Sequence, residues 1–337
     1  MTSIPTSFTE MMGIRYPIIA APMFLVSNEE IVAKVSNAGG IGTFPALNYR
    51  PIEEYKRALK KMKEMTKKPI GVNVIVNQSN QRRGEDLKCA LDAGVDLFIT
   101  SLGSPRDVIR DAHKNGAKVL CDVTNLEHAL KVQDMGCDGV IAVSSGAGGH
   151  AGPISPIVLV PWLKERLNIP IIAAGGITDG THLAAMLALG ASAVSVGTRF
   201  IASTEAGVTG DYKDAIVKAT PEDIVLTSRV SGIPANVIKT PYIERTGTEL
   251  NFVVDRLQKN RWTKKPVQLA IHLIGMRALE NAAAKPTWKT VWSAGQSAGL
   301  VHDVIPCEKI VERFVEGYFK CVRNLPGNGM SARTTDI

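Results

Sequence analysis

A chain of 337 residues, 45% hydrophobic and 21% charged, has ordinary globular proportions, which excludes a disordered or fibrous protein and leaves room for one large domain or two smaller ones. The formal net charge of +7 favours an anionic ligand, but the patches from Lys56 ("KRALKKMKEMTKK") and Lys259 ("KNRWTKK") read as solvated surface, with no basic tail or aromatic-interleaved motif to suggest nucleic acid. The five cysteines form no CxxC pair and no metal-ligand spacing, nothing at the start reads as a signal peptide, and no apolar run approaches the roughly 18 residues of a membrane span; a cytoplasmic protein with reduced thiols, no metal and no membrane partner is expected.

From residue 17 to about residue 206, short apolar runs alternate with helix-length segments. The runs are "PIIAAPM" from Pro17, "GIGTFPA" from Gly40, "PIGVNVIV" from Pro69, "LFITSLG" from Leu97, "KVLCDVT" from Lys118, "GVIAVSS" from Gly139, "PIIAAGGI" from Pro170 and "AVSVGTRF" from Ala193. Each is short and continuously apolar, as a parallel strand buried on both faces should be. Helices are predicted over Asn28–Asn37, Ile52–Met65, Asp107–Lys114, Leu126–Met135 and Thr181–Leu189, with Asn28, Asn125 and Asp179 placed to cap them.

A recurring junction, "NAGGIG", "DAGVDL", "KNGAKV", "DMGCDGV" and "ALGASAV", sets a glycine where a helix must turn left-handed before the next strand. Eight such βα units predict a TIM (β/α)8 barrel rather than a doubly wound sheet, and no GxGxxG follows the first strand. After Phe200 the pattern changes. Residues 206–296 read as a mainly helical insertion near the C-terminus, set into a barrel made of 1–205 and 297–325, with Glu308–Lys320 as the closing helix.

In such a barrel the working groups stand at the C-terminal strand ends. Strand one ends in Ala21, Pro22 and Met23, which offer a flat surface with a thioether suited to an aromatic ring. Strand three passes through Asn73, which has a donor and an acceptor for a heterocycle edge, although a buried Asn or Met of this kind also serves as plain core. Asp122 ends strand five at the mouth, as a second site residue or as a partner for a backbone amide. Strands seven and eight end in Gly175-Gly176 and Gly197-Thr198, two turns that lead toward helix N-termini and suit a phosphate.

Strand six runs into "SSGAGGHAG", Ser144 to Gly152. Its small residues fit either a flexible surface loop or a cradle that admits a flat ligand to His150, the one titratable group there, as general base or oxyanion donor. His113, His128, His182, His272 and His302 fall on predicted helices or distant loops and receive no role.

The segments "AGGHAG" (Ala147 to Gly152), "PIIAAGGITDG" (Pro170 to Gly180) and "VGTRFIASTEA" (Val196 to Ala206), with "FTEMMGIRYPIIAAPM" before them and "WSAGQSAGLV" (Trp292 to Val301) after, resemble the FMN-dependent nitronate monooxygenase family, formerly the 2-nitropropane dioxygenases. FabK-type enoyl-acyl-carrier-protein reductases and some NADH:quinone reductases share the motifs. The resemblance implies FMN, with Ala21, Pro22, Met23 and Asn73 on the isoalloxazine side, Gly148 and Gly149 lining it, and Gly175, Gly176, Gly197 and Thr198 at the phosphate. His150 matches the family's active-site histidine, and Gln296 stands near the ring.

Many relatives carry Lys or His after strand five, where this chain has Cys121-Asp122. The implied reaction is oxidation of an alkyl nitronate with O2. The alternatives are reduction of an enoyl thioester or quinone by NAD(P)H, and, from another class, a flavin-free barrel that binds a phosphorylated metabolite. A homo-oligomer stays open.

Overall fold

The structure, a computed structural model, describes residues 3–77, 80–228, 234–248 and 291–326. The basic run from Lys259, His272 and much of the insertion lie outside the described residues.

Eight parallel strands close into a barrel: β1 (Ile18–Ala20), β2 (Ile41–Pro45), β3 (Ile70–Ile75), β4 (Leu97–Ser101), β5 (Lys118–Val123), β6 (Gly139–Val143), β8 (Ile171–Ala174) and β9 (Ala193–Val196), with β9 returning to pair with β1. A two-residue strand, β7 (Gly149–His150), stands outside the barrel. The predicted TIM barrel is the observed fold. Its helices include α2 (Glu29–Ala38), α3 (Ile52–Met65), α4 (Arg83–Asp92), α5 (Arg106–Lys114), α6 (Leu126–Asp134), α7 (Pro156–Lys164) and α8 (Gly180–Ala188). Asn28, Asn125 and Asp179 cap α2, α6 and α8 by accepting from first-turn N–H groups, as their side chains suggest. All five junction glycines, Gly39, Gly94, Gly116, Gly136 and Gly190, have positive φ, the conformation that lets each helix stop and the chain re-enter the sheet.

Strand side chains alternate between two cores. Ile18, Val72, Phe98, Val119, Val140 and Val194 face outward beneath the helices. Ile19, Ile41, Leu97, Ile99, Leu120, Ile141, Ile172 and Ala193 fill the interior, joined by Phe8 and Met12 of α1 (Ser7–Met12), a helix that the hydrophobic pattern did not announce. This parity positions the site. Asn73, Ser101 and Asp122 each follow an interior residue by two positions or continue its alternation, so they belong to the inward set at the C-terminal end. Cys121 has the opposite parity and is buried on the helix side.

After β9 the chain forms α9 (Thr198–Ile201), α10 (Gly210–Lys218), β10 (Ile224–Thr227), β11 (Ala235–Ile238) and α11 (Pro241–Thr246). The insertion, expected to be mainly helical, therefore also contains strands among its described residues, at Ile224–Thr227 and Ala235–Ile238. β10 and β11 pair antiparallel, and β11 pairs with β7, which makes a three-stranded sheet that joins the insertion to the loop after β6. That pairing is long-range in sequence, so no local periodicity signals it. The closing helix is α12 (Cys307–Asn324), which buries Cys307, Ile310, Val311 and Phe314 and packs on α8 and α2.

Candidate active site

At the barrel mouth, strands three to five contribute a hydrogen-bonded chain of three side chains. The Asn73 amide donates to Ser101 Oγ at 2.8 Å and to the Ile99 carbonyl at 3.3 Å, and Ser101 Oγ donates to Asp122 Oδ2 at 2.5 Å. Register explains the convergence: Asn73 pairs with Ile99, and Thr100 with Cys121, which brings Ser101 level with Asp122. Both amide hydrogens of Asn73 are thus engaged within the barrel. Toward a ligand the side chain offers its acceptor oxygen, not the donor and acceptor together that the sequence suggests. Burial, only partly offset by the Ser101 hydrogen bond, pushes the Asp122 carboxyl up to about 6.

Ser101 is the member that sequence reading missed. Its signal is faint: inward parity, two residues beyond Ile99, in a strand otherwise read as apolar.

The ends of β1, β8 and β9, the first, seventh and eighth strands of the barrel, neighbour one another. Ala21 N–H donates to the Val196 carbonyl, and Met23 is held by a hydrogen bond from its N–H to Ser27 Oγ. The Met23 sulfur lies 3.8 Å from where a Cβ on Gly197 would stand, so strand one's end and strand eight's turn touch. Gly175 (φ 105°) leaves no room for a side chain, because a Cβ there would sit 2.5 Å from Ser144 Oγ and 2.6 Å from Ala147 N. Gly176 (φ 77°) differs: nothing lies within 4 Å of its Cβ position, although its N–H already donates to the Gly146 carbonyl at 3.2 Å. Thr198 is buried, and its hydroxyl accepts from Gly295 N–H at 3.0 Å.

The loop "SSGAGGHAG" sorts into two halves. Ser144 to Gly148 is a packed backbone layer: Ser144 Oγ donates to the Ala174 carbonyl at 2.7 Å, and a Cβ on Gly148 would sit 2.7 Å from Gly295 N and 2.8 Å from the Ala294 carbonyl carbon. Here the small residues make room for other backbone, chiefly the segment through Ala294 and Gly295. Gly149 (φ 67°) and His150 are the open half, with nothing within 4 Å of a Cβ on Gly149 and with His150 exposed.

β11 holds this half in place. Ala235 pairs with His150 and Asn236 with Gly149, while the buried Asn236 amide donates to the carbonyls of Ser145 (2.9 Å) and Ala147 (2.7 Å). Asn236 had no sequence signal, since its partners lie in another segment.

The returning segment runs through the buried Ala294 into a 3-10 turn, Gln296–Leu300, in which Gln296 is exposed and the Ser297 carbonyl accepts from Thr178 Oγ at 3.4 Å. Trp292 stacks on Tyr212 of α10 at 5.4 Å, and the Tyr212 hydroxyl donates to the Ser293 carbonyl at 2.6 Å. The predicted residues therefore gather into two groups at one end of the barrel: Asn73 with Asp122, and Met23, Gly197, Thr198, Gly148 and Gly176 with the 294–297 segment. Among the described residues, no group of three or more His, Cys, Asp or Glu side chains is placed to hold a metal ion. Nor, among them, is any helix long and apolar enough to cross a membrane.

Comparison with known proteins gives this mouth a family. The probable nitronate monooxygenase of Staphylococcus saprophyticus is 30% identical, over 88% of this chain and 93% of its own. A (3aS,4S,5R,7aS)-5-hydroxy-7a-methyl-1-oxo-octahydro-1H-indene-4-carboxyl-CoA dehydrogenase of Rhodococcus jostii is 27% identical, over 95% of this chain and 97% of its own. Among solved structures, FabK from Thermotoga maritima superposes with a TM-score of 0.82 at 32% identity, covering 97% of this chain and all of that one. These relatives are oxidoreductases. The nitronate monooxygenase family model matches residues 6–317, a span that runs from α1 through the barrel and its mouth into α12, and the chain is an oxidoreductase that belongs to the nitronate monooxygenase family.

Proposed function

We propose that the chain is an FMN-dependent oxidoreductase that oxidises alkyl nitronates with O2 as the electron acceptor. One feature of the mouth supports this above all: Gly149 and Gly176, both left-handed, carry open space where a side chain would be, beside a wall that is otherwise closely packed backbone. Such a surface suits a flat ring system better than a flexible metabolite. The residues fit FMN. Ala21, Pro22, Met23, Asn73, Gly148 and Gly149 would line the isoalloxazine, with Gln296 at its exposed border.

Gly175, Gly176, Gly197 and Thr198 would hold the phosphate. The first turn of α9 leaves the Thr198 and Arg199 N–H groups without intrahelical partners, and the Thr198 hydroxyl still has its proton to give, which favours an anion there. Gly176 would contribute its open face rather than its committed N–H.

When bound, the flavin supplies the electron transfer. The chain's own part is position and proton handling. His150, exposed beside Gly149, would orient the anionic oxygens of a bound nitronate, or act as general base on the acidic carbon of a neutral nitroalkane to form one. Asp122, held through Ser101, would present a carboxyl that changes charge near pH 6 at the site's polar edge. Residues 206–296 would cover the substrate side.

A second reading has its own support. The similarity to FabK and to CoA dehydrogenases favours reduction of a thioester or quinone by NAD(P)H through the same site.

Anaerobic mixing of the FMN-loaded protein with ethylnitronate, NADH or NADPH separates the two: bleaching by nitronate alone is expected, and fast bleaching by a nicotinamide sinks the oxidase reading in favour of the reductase. A colourless protein that takes up no FMN sinks both and leaves a phosphometabolite-binding barrel. His150→Ala should keep FMN and lose turnover by roughly 100-fold.

A further inference from the structure

The barrel and the insertion divide the loop that carries His150 between them. Up to Gly146 the barrel side holds it: Ser144 N–H donates to the Ala174 carbonyl, Ser145 N–H to the Ile154 carbonyl, and the Gly146 carbonyl accepts from Gly176. At Gly149 and His150 the ladder belongs to β11, and at Gly152 the chain is back on the barrel, where a Cβ would sit 2.4 Å from the Val143 carbonyl oxygen. One residue spans both halves, by its side chain and by its backbone. Asn236 sends its two amide hydrogens to the carbonyls of Ser145 and Ala147, on either side of Gly146, while its own backbone lies opposite Gly149 and that of its neighbour Ala235 opposite His150.

We propose that Asn236 is a positioning residue for His150, so that the insertion shares with the barrel in setting where the imidazole stands. The chemistry of the position allows few substitutes. Two carbonyls converge on one side chain that is 7% exposed, so the residue must bring two donors and little bulk; an apolar residue leaves both carbonyls unpaired, and a carboxylate turns acceptor oxygens toward acceptor oxygens.

Gly149 is left-handed with open space at its Cβ position, so its own side limits His150 little, and the clamp comes one residue pair away. The phosphate turns have anchors of their own: Gly197 against Met23, and Thr198 against Gly295. Substituting Asn236 therefore unties β11, and with it the histidine half that pairs with it, from the packed half of the loop, and leaves the other side of the mouth in place.

This inference rests on the reading of His150 as the acid–base group. Its test is a double-mutant cycle in the FMN-loaded full chain, with Asn236→Asp, isosteric but lacking the donors, Asn236→Ser, small and keeping one donor, and His150→Ala. Turnover is measured with whichever of ethylnitronate or NADH reduces the flavin, together with the FMN dissociation constant and the His150 titration followed by NMR. Expected are a fall in turnover of about 10- to 100-fold for Asn236→Asp, as a misplacement of about 1 Å produces, and a smaller fall for Asn236→Ser. FMN affinity should stay within about threefold, and the His150 midpoint should move.

Combined with His150→Ala, either substitution should slow the enzyme no further than His150→Ala alone. Additive losses, an unmoved His150 titration, or loss of FMN together with turnover would each overturn the proposal while His150 keeps its role. If Asn236→Asp does not fold, Asn236→Ser and its titration decide by the same criteria. A His150→Ala variant with full turnover would overturn both this inference and the role assigned to the histidine.

Discussion

Asp122 stands at the barrel mouth with a hydrogen-bond donor on one oxygen and burial as the main influence on its charge. Unfolded, its carboxyl titrates at the ordinary 3.8; folded, burial raises that to about 6. The native state therefore binds the proton more tightly than the unfolded chain does. The resulting stability is complete below about pH 4 and is lost as pH rises through 6, up to about 3 kcal/mol if the whole shift is realised. Asp122→Asn keeps an acceptor for Ser101 and never ionises. It should be more stable than the parent at pH 8 by about 1–3 kcal/mol and equal to it near pH 4, read from urea midpoints across that range; curves that stay parallel would refute the assignment. Asp122 itself was visible in the sequence, as a carboxylate at a strand end. Ser101 was not, because a serine's partner depends on which strands neighbour one another and in what register, and a single strand's pattern holds neither.

Where α8 crosses α12, backbone lies against backbone. A Cβ on Gly180, the first residue of α8, would fall 2.1 Å from the Phe314 carbonyl oxygen and 2.1 Å from the Tyr318 nitrogen, whereas one on Gly317 would find its nearest atom, in Gly180, at 3.2 Å. The two glycines share a contact but not a tolerance. Gly180→Ala must push α12 off the barrel and should cost at least about 1–3 kcal/mol, the range for overpacking against a neighbour that cannot yield. Gly317→Ala asks for a few tenths of an ångström and gains about 1 kcal/mol of helix propensity, so it should be close to neutral. Denaturant midpoints of the two variants check this, and equal losses would refute the distinction.

The same scale shows why the barrel was legible and the insertion less so. Eight buried strands and five helix–glycine–strand junctions repeat one local pattern, and local patterns survive in sequence. β10 and β11 are only four residues long each, and β11 pairs with β7 from a distant segment, so Ile224–Thr227 and Ala235–Ile238 could not be separated from helix by periodicity. The residues of "SSGAGGHAG" fit a surface loop and a ligand cradle alike; in the fold Ser144 to Gly148 seat the 294–295 segment, while Gly149 and His150 stand open.

Across the whole molecule, the groups proposed to hold FMN run from Ala21 to Gln296, on segments that only the folded barrel brings together. A ligand bound by such a set binds the native state and not the unfolded chain, and at 100 times its dissociation constant it stabilises by about 2.7 kcal/mol. For a chain of this size that raises the melting temperature by roughly 4 °C. The phosphate turns divide the effect further. Riboflavin carries the ring without the phosphate, so at equal concentration it should raise the melting temperature less than FMN does, and Thr198→Val, which removes a hydroxyl at the first turn of α9, should narrow that difference. Thr198→Val also deprives Gly295 N–H of its acceptor, so the ligand-free protein should melt lower as well, and the comparison must be made on the increment that each ligand adds. Equal increments for FMN and riboflavin in the parent would mean that no part of the protein holds the phosphate, whereas a difference that Thr198→Val leaves unchanged would mean that it is held away from the turn at Gly197 and Thr198.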